Sequence, residues 1–323
     1  MRSSRILAAA ALACAFAWAA PAGAQQQASG FAVERLYRSA PGGGWFVMDA
    51  LDMHEGLGGA LAFTMGWSHA PLVVRDGSQR LAVVKDQAFA DVGAAVSFGR
   101  YRLYIDLENP LVVRGDDGVA AGYQLTAPKI DVGKTPDLLS DVRIGWDARI
   151  YGDPGGVFRF GVGAQLWIPN GARSDYVTDD AYRAMVRLLF AGDSGWFTWA
   201  AHVGEHVRSL DLGGQPEAPQ GAEVLFGGAV GARMLMGHDE GAAFVIGPEV
   251  FGATAGAAFF ERGATALEAL LGARIEGTGG AEAPQVRAKV GVGAGLDPHF
   301  GAPEWRAVVG VEMFVPGKKA QPR

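Results

Sequence analysis

Asp141-Val142-Arg143-Ile144-Gly145-Trp146-Asp147-Ala148-Arg149-Ile150-Tyr151 is the stretch on which the fold turns. Val142, Ile144, Trp146, Ala148 and Ile150 are apolar, while Asp141, Arg143, Gly145, Asp147 and Arg149 are charged or minimal. Successive side chains of a strand point to opposite faces, so these residues spell one apolar face and one charged face. A strand of a soluble sandwich would show the same local pattern, and recurrence is what makes it diagnostic. Tyr101, Leu103, Ile105 and Leu107 oppose Arg102, Asp106 and Glu108. Phe158, Phe160, Val162, Ala164 and Leu166 oppose Arg159, Gly161, Gly163 and Gln165. Val286, Ala288, Val290 and Val292 oppose Arg287, Lys289, Gly291 and Gly293, and Trp305 to Met313 repeats the pattern against Arg306, Gly310 and Glu312.

The alternation follows an export signal. Arg2 and Arg5, the apolar run Ile6 to Ala19 and the small residues Ala22-Gly23-Ala24 read as a signal peptide over residues 1–24. A lipoprotein site at Cys14 fits less well, because Ala15-Phe16-Ala17-Trp18 continues the apolar run. Cys14 is the only cysteine, so the exported part has neither a disulfide nor a thiolate metal site. A net charge of −6 argues against a nucleic-acid partner. The chain is 49% hydrophobic, yet beyond the leader no run of ~18 apolar residues offers a membrane helix. A closed barrel is the other structure that satisfies every backbone group in lipid.

The predicted fold is therefore all-β: a transmembrane antiparallel up-and-down β-barrel of about twelve strands over residues 56–315. The strands are expected at 59–75, 80–98, 101–113, 139–152, 156–167, 182–191, 196–209, 222–236, 242–254, 265–276, 283–296 and 304–315. Connections at 99–100, 153–155, 192–195, 237–241 and 277–282 are short and rich in Gly and Asp. Those at 114–138, 168–181, 210–221, 255–264 and 297–303 are mostly longer, the asymmetry of periplasmic turns and outer loops. Residues 25–55 read as a periplasmic lead-in, with Trp45 to Met53 part of it or an extension of the first strand, since a thirteenth strand there would break the even count, and 316–323 as a short basic tail. Aromatic girdles are expected at both rims. Phe98, Tyr101, Phe158, Phe190, Trp196, Phe197, Phe244 and Phe314 mark the periplasmic rim, and Trp67, Trp167, Phe251, Phe259, Phe260 and Trp305 the outer one.

Parity assigns the charges to the lumen. The candidate lumen-lining residues, as a solute path or an ion-pair network, are Arg102, Asp106, Glu108, Arg143, Asp147, Arg149, Arg159, Arg187, His202, His206, Arg233, Glu249, Glu268, Arg274, Arg287, Lys289, Arg306 and Glu312. Inward glycines such as Gly66, Gly93, Gly145, Gly227, Gly231 and Gly291 share that parity and leave room for arginines or for water. His202 and His206 lack a third ligand at suitable spacing, so they read as network members and no metal is expected.

Several segments resemble a known family. Gly58-Gly59-Ala60-Leu61, Pro71-Leu72-Val73-Val74, the stretch Asp86 to Ala94, Arg187 to Asp193, Gly247 to Gly252, Leu267 to Ala273 and above all Phe300-Gly301-Ala302-Pro303-Glu304-Trp305-Arg306 are similar to the amino-terminal barrel domain of outer-membrane-protein-A-like proteins. The resemblance spans residues 56–315 and lacks that family's calcium repeats and peptidoglycan-binding domain. It implies an outer-membrane barrel and carries no substrate and no catalytic residue.

The expected function is a narrow or gated pore for small solutes with a charged lumen. A structural barrel with a plugged lumen that presents loops or organises partners is the alternative, since 8 strands fill themselves and 16–18 leave a channel. A lipid-acting enzyme is the weaker rival: Ser68 and His69 point to opposite faces, and Ser97 and Ser194 have no histidine in their strands. No enzymatic activity and no cofactor are expected. The expected partners are outer-membrane lipid, small solutes or ions, and the barrel-assembly machinery, which would read the glycine-plus-aromatic ending Gly310 to Val315.

Overall fold

The computed structural model describes residues 26–54, 56–134, 140–210, 221–236, 241–261, 263–277, 284–297 and 301–315. The expected signal peptide and basic tail lie outside the described residues. Twelve strands form a closed antiparallel barrel. They are β1 (Leu57–Asp76), β2 (Gln79–Phe98), β3 (Tyr101–Arg114), β4 (Val142–Tyr151), β5 (Arg159–Ile168), β6 (Arg183–Ser194), β7 (Phe197–Val207), β8 (Glu223–Met236), β9 (Ala242–Ala255), β10 (Thr265–Gly277), β11 (Gln285–Asp297) and β12 (Trp305–Val315). Each pairs with its sequence neighbour, and β12 returns to β1 in a register running from Trp305 opposite His69 to Val315 opposite Gly59. That last ladder removes the sheet edge, so every strand has two partners.

The period-two pattern predicted every one of these strands, because a barrel in lipid needs opposite chemistry on its two faces. Leu61, Phe63, Met65, Leu103, Ile105, Ile144, Trp146, Val186, Leu188, Val290, Val292, Val309 and Val311 are exposed on the outside. Their neighbours Thr64, Arg102, Asp106, Arg143, Asp147, Arg187, Lys289 and Glu312 are buried inside. At the short-turn rim Phe98 stacks near Tyr101 with ring centroids 5.6 Å apart, and Tyr101 lies 6.3 Å from Trp146. Trp167 and Phe251 do not join the outer girdle. Both are buried in the lumen, because they share parity with Gln165 and Glu249 rather than with the apolar face.

The long-loop end is covered. Between β3 and β4 the chain forms short strands at Gly118–Ala120, Tyr123–Leu125 and Lys129–Asp131, the last paired with Val112–Arg114 of β3. Phe31, Leu72, Val83, Val113, Leu125, Ile130 and Tyr176 make one buried apolar cluster there.

Residues 28–53 are not a periplasmic lead-in. They lie inside the barrel, with Phe31, Val33, Leu36, Trp45, Phe46, Val47, Met48, Leu51 and Met53 all buried. Trp45 to Met53 is neither a thirteenth strand nor an extension of β1. It turns back on itself, with a single bridge between Gly44 and Asp49 and the Ala50 N–H donating to the Gly43 carbonyl at 2.9 Å. The segment needs room, and wall glycines supply it. A Cβ on Gly231 would sit 2.8 Å from the Trp45 ring, one on Gly291 would sit 2.9 Å from Phe46, and one on Gly227 would collide with the Met48 methyl. Gly227→Val is expected to cost about 1–3 kcal/mol through overpacking, read as a lower midpoint for the loss of heat-modifiable migration on gels. An unchanged midpoint would mean that Met48 does not occupy this recess.

Candidate functional site

The lumen is the candidate site, and residues 28–53 run its length. The segment begins on the long-loop side, where the Ala28 N–H donates to Gln124 O at 3.0 Å and the Val33 N–H to Tyr176 O at 3.1 Å. It ends on the short-turn side, where Arg149 donates to Leu51 O at 3.1 Å and the Gly155 N–H to Asp52 at 3.1 Å. Gln26–Gln27 pairs in parallel with Tyr123–Leu125 of the long β3–β4 connection. The amino-terminal side of the segment therefore lies at the long-loop end.

Charge drives the arrangement. A charge taken from water is costly unless paired, and every ion pair between segment and wall joins opposite signs. Descending from the outer end, Arg306 binds Glu34 at 2.8 Å and Glu268 at 2.6 Å, and Arg35 binds Glu223 at 2.9 Å. Arg38 reaches Asp91 at 3.0 Å and Glu108 at 2.5 Å. Asp49 pairs with Arg102, which also holds Asp147 at 2.7 Å. At the inner end Arg159 contacts Asp52 at 3.2 Å and Asp193 at 2.6 Å.

A second lock uses backbone rather than charge pairs. The Glu249 carboxylate of β9, 1% exposed, accepts the N–H groups of Phe46, Val47 and Met48 at 2.8, 2.9 and 3.1 Å. Three successive amides form an anion nest, and here the anion is a wall side chain. Beside it, the Arg274 guanidinium lies 4.5 Å from the Trp45 ring centroid and the Lys289 ammonium 5.1 Å from that of Phe46.

Several of the remaining predicted lumen residues form ion pairs within the wall. Arg143 holds Asp106 at 2.9 Å, Arg187 holds Asp147 at 3.3 Å, and Glu312 receives Arg287 and Lys289, each at 2.7 Å. Arg233 is the most exposed of the set and lies 3.6 Å from Glu276. His206 sits between the Tyr37 and Trp167 rings, 5.1 Å from each centroid and 3.5 Å from Glu223. His202 is buried and lines a cavity with Arg187 and Tyr37. Among the described residues no group of three metal-ligating side chains comes together. Two kinds of residue were missed. Glu276 collects Arg233, Arg274 and Arg287, and its parity with Arg274 could have revealed it. Residues 28–53 also carried a signal: ten or so large apolar residues interleaved with Glu34, Arg35, Arg38, Asp49 and Asp52 have no purpose in a solvated linker.

The outer end has its own clamp. Asp179, in the connection between β5 and β6, accepts the Ala32 N–H at 2.8 Å and two bonds from Arg208, at 2.7 and 2.6 Å. Burial alone would raise its pKa, but Arg208, Arg183 and the Ala32 amide together bring it down to about 2. A depressed carboxylate stabilises the fold fully above its ordinary value of 3.8, and that contribution is lost as pH falls towards about 2.

No protein-family model matches the chain, and no curated protein matches it. Several solved structures share its shape. The COG4313 outer membrane channel from Pseudomonas putida F1 aligns with a TM-score of 0.51 at 10% identity, over 81% of this chain and 95% of that one. The NanC porin aligns at 0.44 and 8% identity, over 80% and 100%. LpxR from Salmonella typhimurium aligns at 0.42 and 10%, over 80% and 99%. The fold is that of an outer-membrane β-barrel. A closed barrel with an outward apolar belt is built for lipid on every side, and its location is the outer membrane.

Two outcomes test the site. Glu249→Ala leaves three buried N–H groups unpaired and is expected to destabilise the lumenal segment by about 3 kcal/mol or more, read as protease cleavage within residues 39–50 of the folded barrel. Asp179→Asn removes an acid-sensitive contribution of about 2 kcal/mol, so the variant's stability should change less than the parent's between pH 4 and pH 2. An equal acid response in both proteins would show that Asp179 is not clamped by Arg208.

Proposed function

We propose that the chain is an outer-membrane channel held shut by its own amino-terminal segment. The observation that carries this proposal is the occupation of the lumen by residues 28–53, whose charges and amides are met by the wall. A barrel of 12 strands is intermediate between those that fill with side chains and those that leave an aqueous channel. Inward glycines widen this lumen further, and the segment takes the space they leave. A purely structural barrel could close itself with larger wall side chains. Glycine recesses filled by a separable segment are instead what a shut passage requires.

The segment's attachments favour a plug that can yield. It is continuous with the barrel only through β1, at the short-turn end, and is otherwise held by non-covalent contacts: ion pairs, hydrogen bonds and apolar packing. In this proposal the chain is not an enzyme, the translocated solutes are small, and kinship with the outer-membrane-protein-A-like barrels rests on the segments around Phe300. Lipid surrounds the barrel, and the Gly310 to Val315 ending serves its insertion by the assembly machinery.

Liposome swelling and single-channel recording test the proposal together. The intact chain should admit neither sugars nor a steady ionic current. A variant lacking residues 28–53 that still migrates as a folded barrel should conduct. Free permeation of sugars through the intact chain, or silence of the folded deletion variant, would sink the proposal.

A further inference from the structure

The part of the segment that crosses the middle of the lumen has two unlike halves. Trp45-Phe46-Val47-Met48 is bulky and shares a cluster with Ala200, Ala229, Val245, Phe251, Leu270 and Val308 of β7–β12, to which β2 adds Phe89 and β6 Ala191. Ala40-Pro41-Gly42-Gly43 is small and faces β1–β3. Ala40 packs on Ala95 and Tyr104 with Ala60 beside them, and a Cβ on Gly93 would lie 2.7 Å from the Pro41 ring.

Polar cavities lie on this thin side, one towards each end. The outer cavity is lined by Asp91, Asp106, Glu108, Arg38 and Arg143 among others and extends round to Trp167 and Arg183, with five carboxylates against three guanidinium groups in all. The inner cavity is lined by Asp52, Ser97, Arg102 and Ala95 and lies beside β1 and β12 at the short-turn end. The strand period shows how little separates them. On β3, Asp106 lines the outer cavity and Arg102 the inner one, and Tyr104 is the one inward residue between them. On β2, Asp91 and Ala95 line the two cavities with Gly93 between them. The partition is one inward residue deep, with Arg102 and Asp106 roughly 13 Å apart along the strand.

We propose that the seam between residues 40–43 and β1–β3 is the ion path, with Tyr104 as its barrier and the carboxylate-rich outer cavity selecting small cations. This rests on the shut-channel proposal and names the route and selectivity of that channel. Tyr104 is placed for the task. Its hydroxyl accepts a hydrogen bond from Gln165 Nε2 at 2.7 Å, and its ring lies over Gly145, where any Cβ would collide with it. The ring is thus fixed over β4 by a side chain of β5, and it borders the seam where it packs against Ala40 and Ala95. Rings of carboxylates favour cations in pores by replacing part of their hydration shell and by their net charge.

The experiment is single-channel recording on the full-length chain under a KCl gradient, with heat-modifiable migration confirming a folded barrel. Tyr104→Ala should raise conductance about tenfold above the wild-type background, with the reversal potential on the potassium side. Tyr104→Phe keeps the ring and should stay shut. A second measurement is independent of opening: Ser140→Cys, in the outer cavity, should react faster with a cationic than with an anionic methanethiosulfonate of similar size. A folded Tyr104→Ala barrel that stays silent, a reversal potential on the chloride side, or faster reaction with the anionic reagent overturns the seam. If the variant lacking residues 28–53 conducts while Tyr104→Ala is silent, only the seam falls; if both are silent, the shut-channel proposal falls with it.

Discussion

The structure depends on pairing charges that cannot reach bulk water. A barrel strand in lipid must turn its apolar side outward, so its polar side chains are confined to a narrow lumen. There a lone arginine or carboxylate costs several kcal/mol, and removing one partner of a buried pair is more damaging than never having had the pair. The wall meets part of this demand itself, as with Arg143 and Asp106 or Lys289 and Glu312. For Arg102, Arg306 and Glu223 the threading segment supplies a further partner through Asp49, Glu34 and Arg35. Wall and segment are therefore one electrostatic system.

The glycines complete that system sterically. Glycine weakens a strand and would be poor material for a barrel wall packed only against water. Opposite Trp45, Phe46 and Met48 it becomes the residue that lets a second layer of chain fit inside. Backbone amides are handled with equal economy: Glu249 satisfies three of them where the segment turns, at a depth where no sheet edge is free. Dispersion contacts of the aromatics, cation–π contacts of Arg274 and Lys289, and the carboxylate nest all converge within β9–β11. The bulky half of the segment is anchored there, and the small half is left to the opposite wall.

Much of this was legible residue by residue. Alternation around Arg143 and Asp147 placed those charges on one face, and the same parity placed Arg187, Glu249, Glu268 and Arg306 with them. The same parity turns Trp167, Phe251 and Glu276 inward, and their burial follows it even where the two aromatics lie near a rim. Residues 28–53 were a different kind of miss. They have no period, since irregular chain packed on all sides needs none, and their large apolar residues look like a short soluble linker with unusual composition. Only a count of unpaired lumenal charge could have suggested that the wall wanted a partner.

Sequence alone determined the barrel: its strand number, its two faces, its long and short ends and the identity of most lumenal charges follow from a local rule that lipid imposes on every strand. Tertiary structure decided what the lumen contains. Which guanidinium meets which carboxylate, that Glu249 caps the turn at Phe46, and that Tyr104 meets Ala40 between two polar cavities are consequences of bringing residues some 50 to 270 positions apart to the same depth. Periodicity carries no information about such meetings, because it records which way a side chain points and not what waits on the other side.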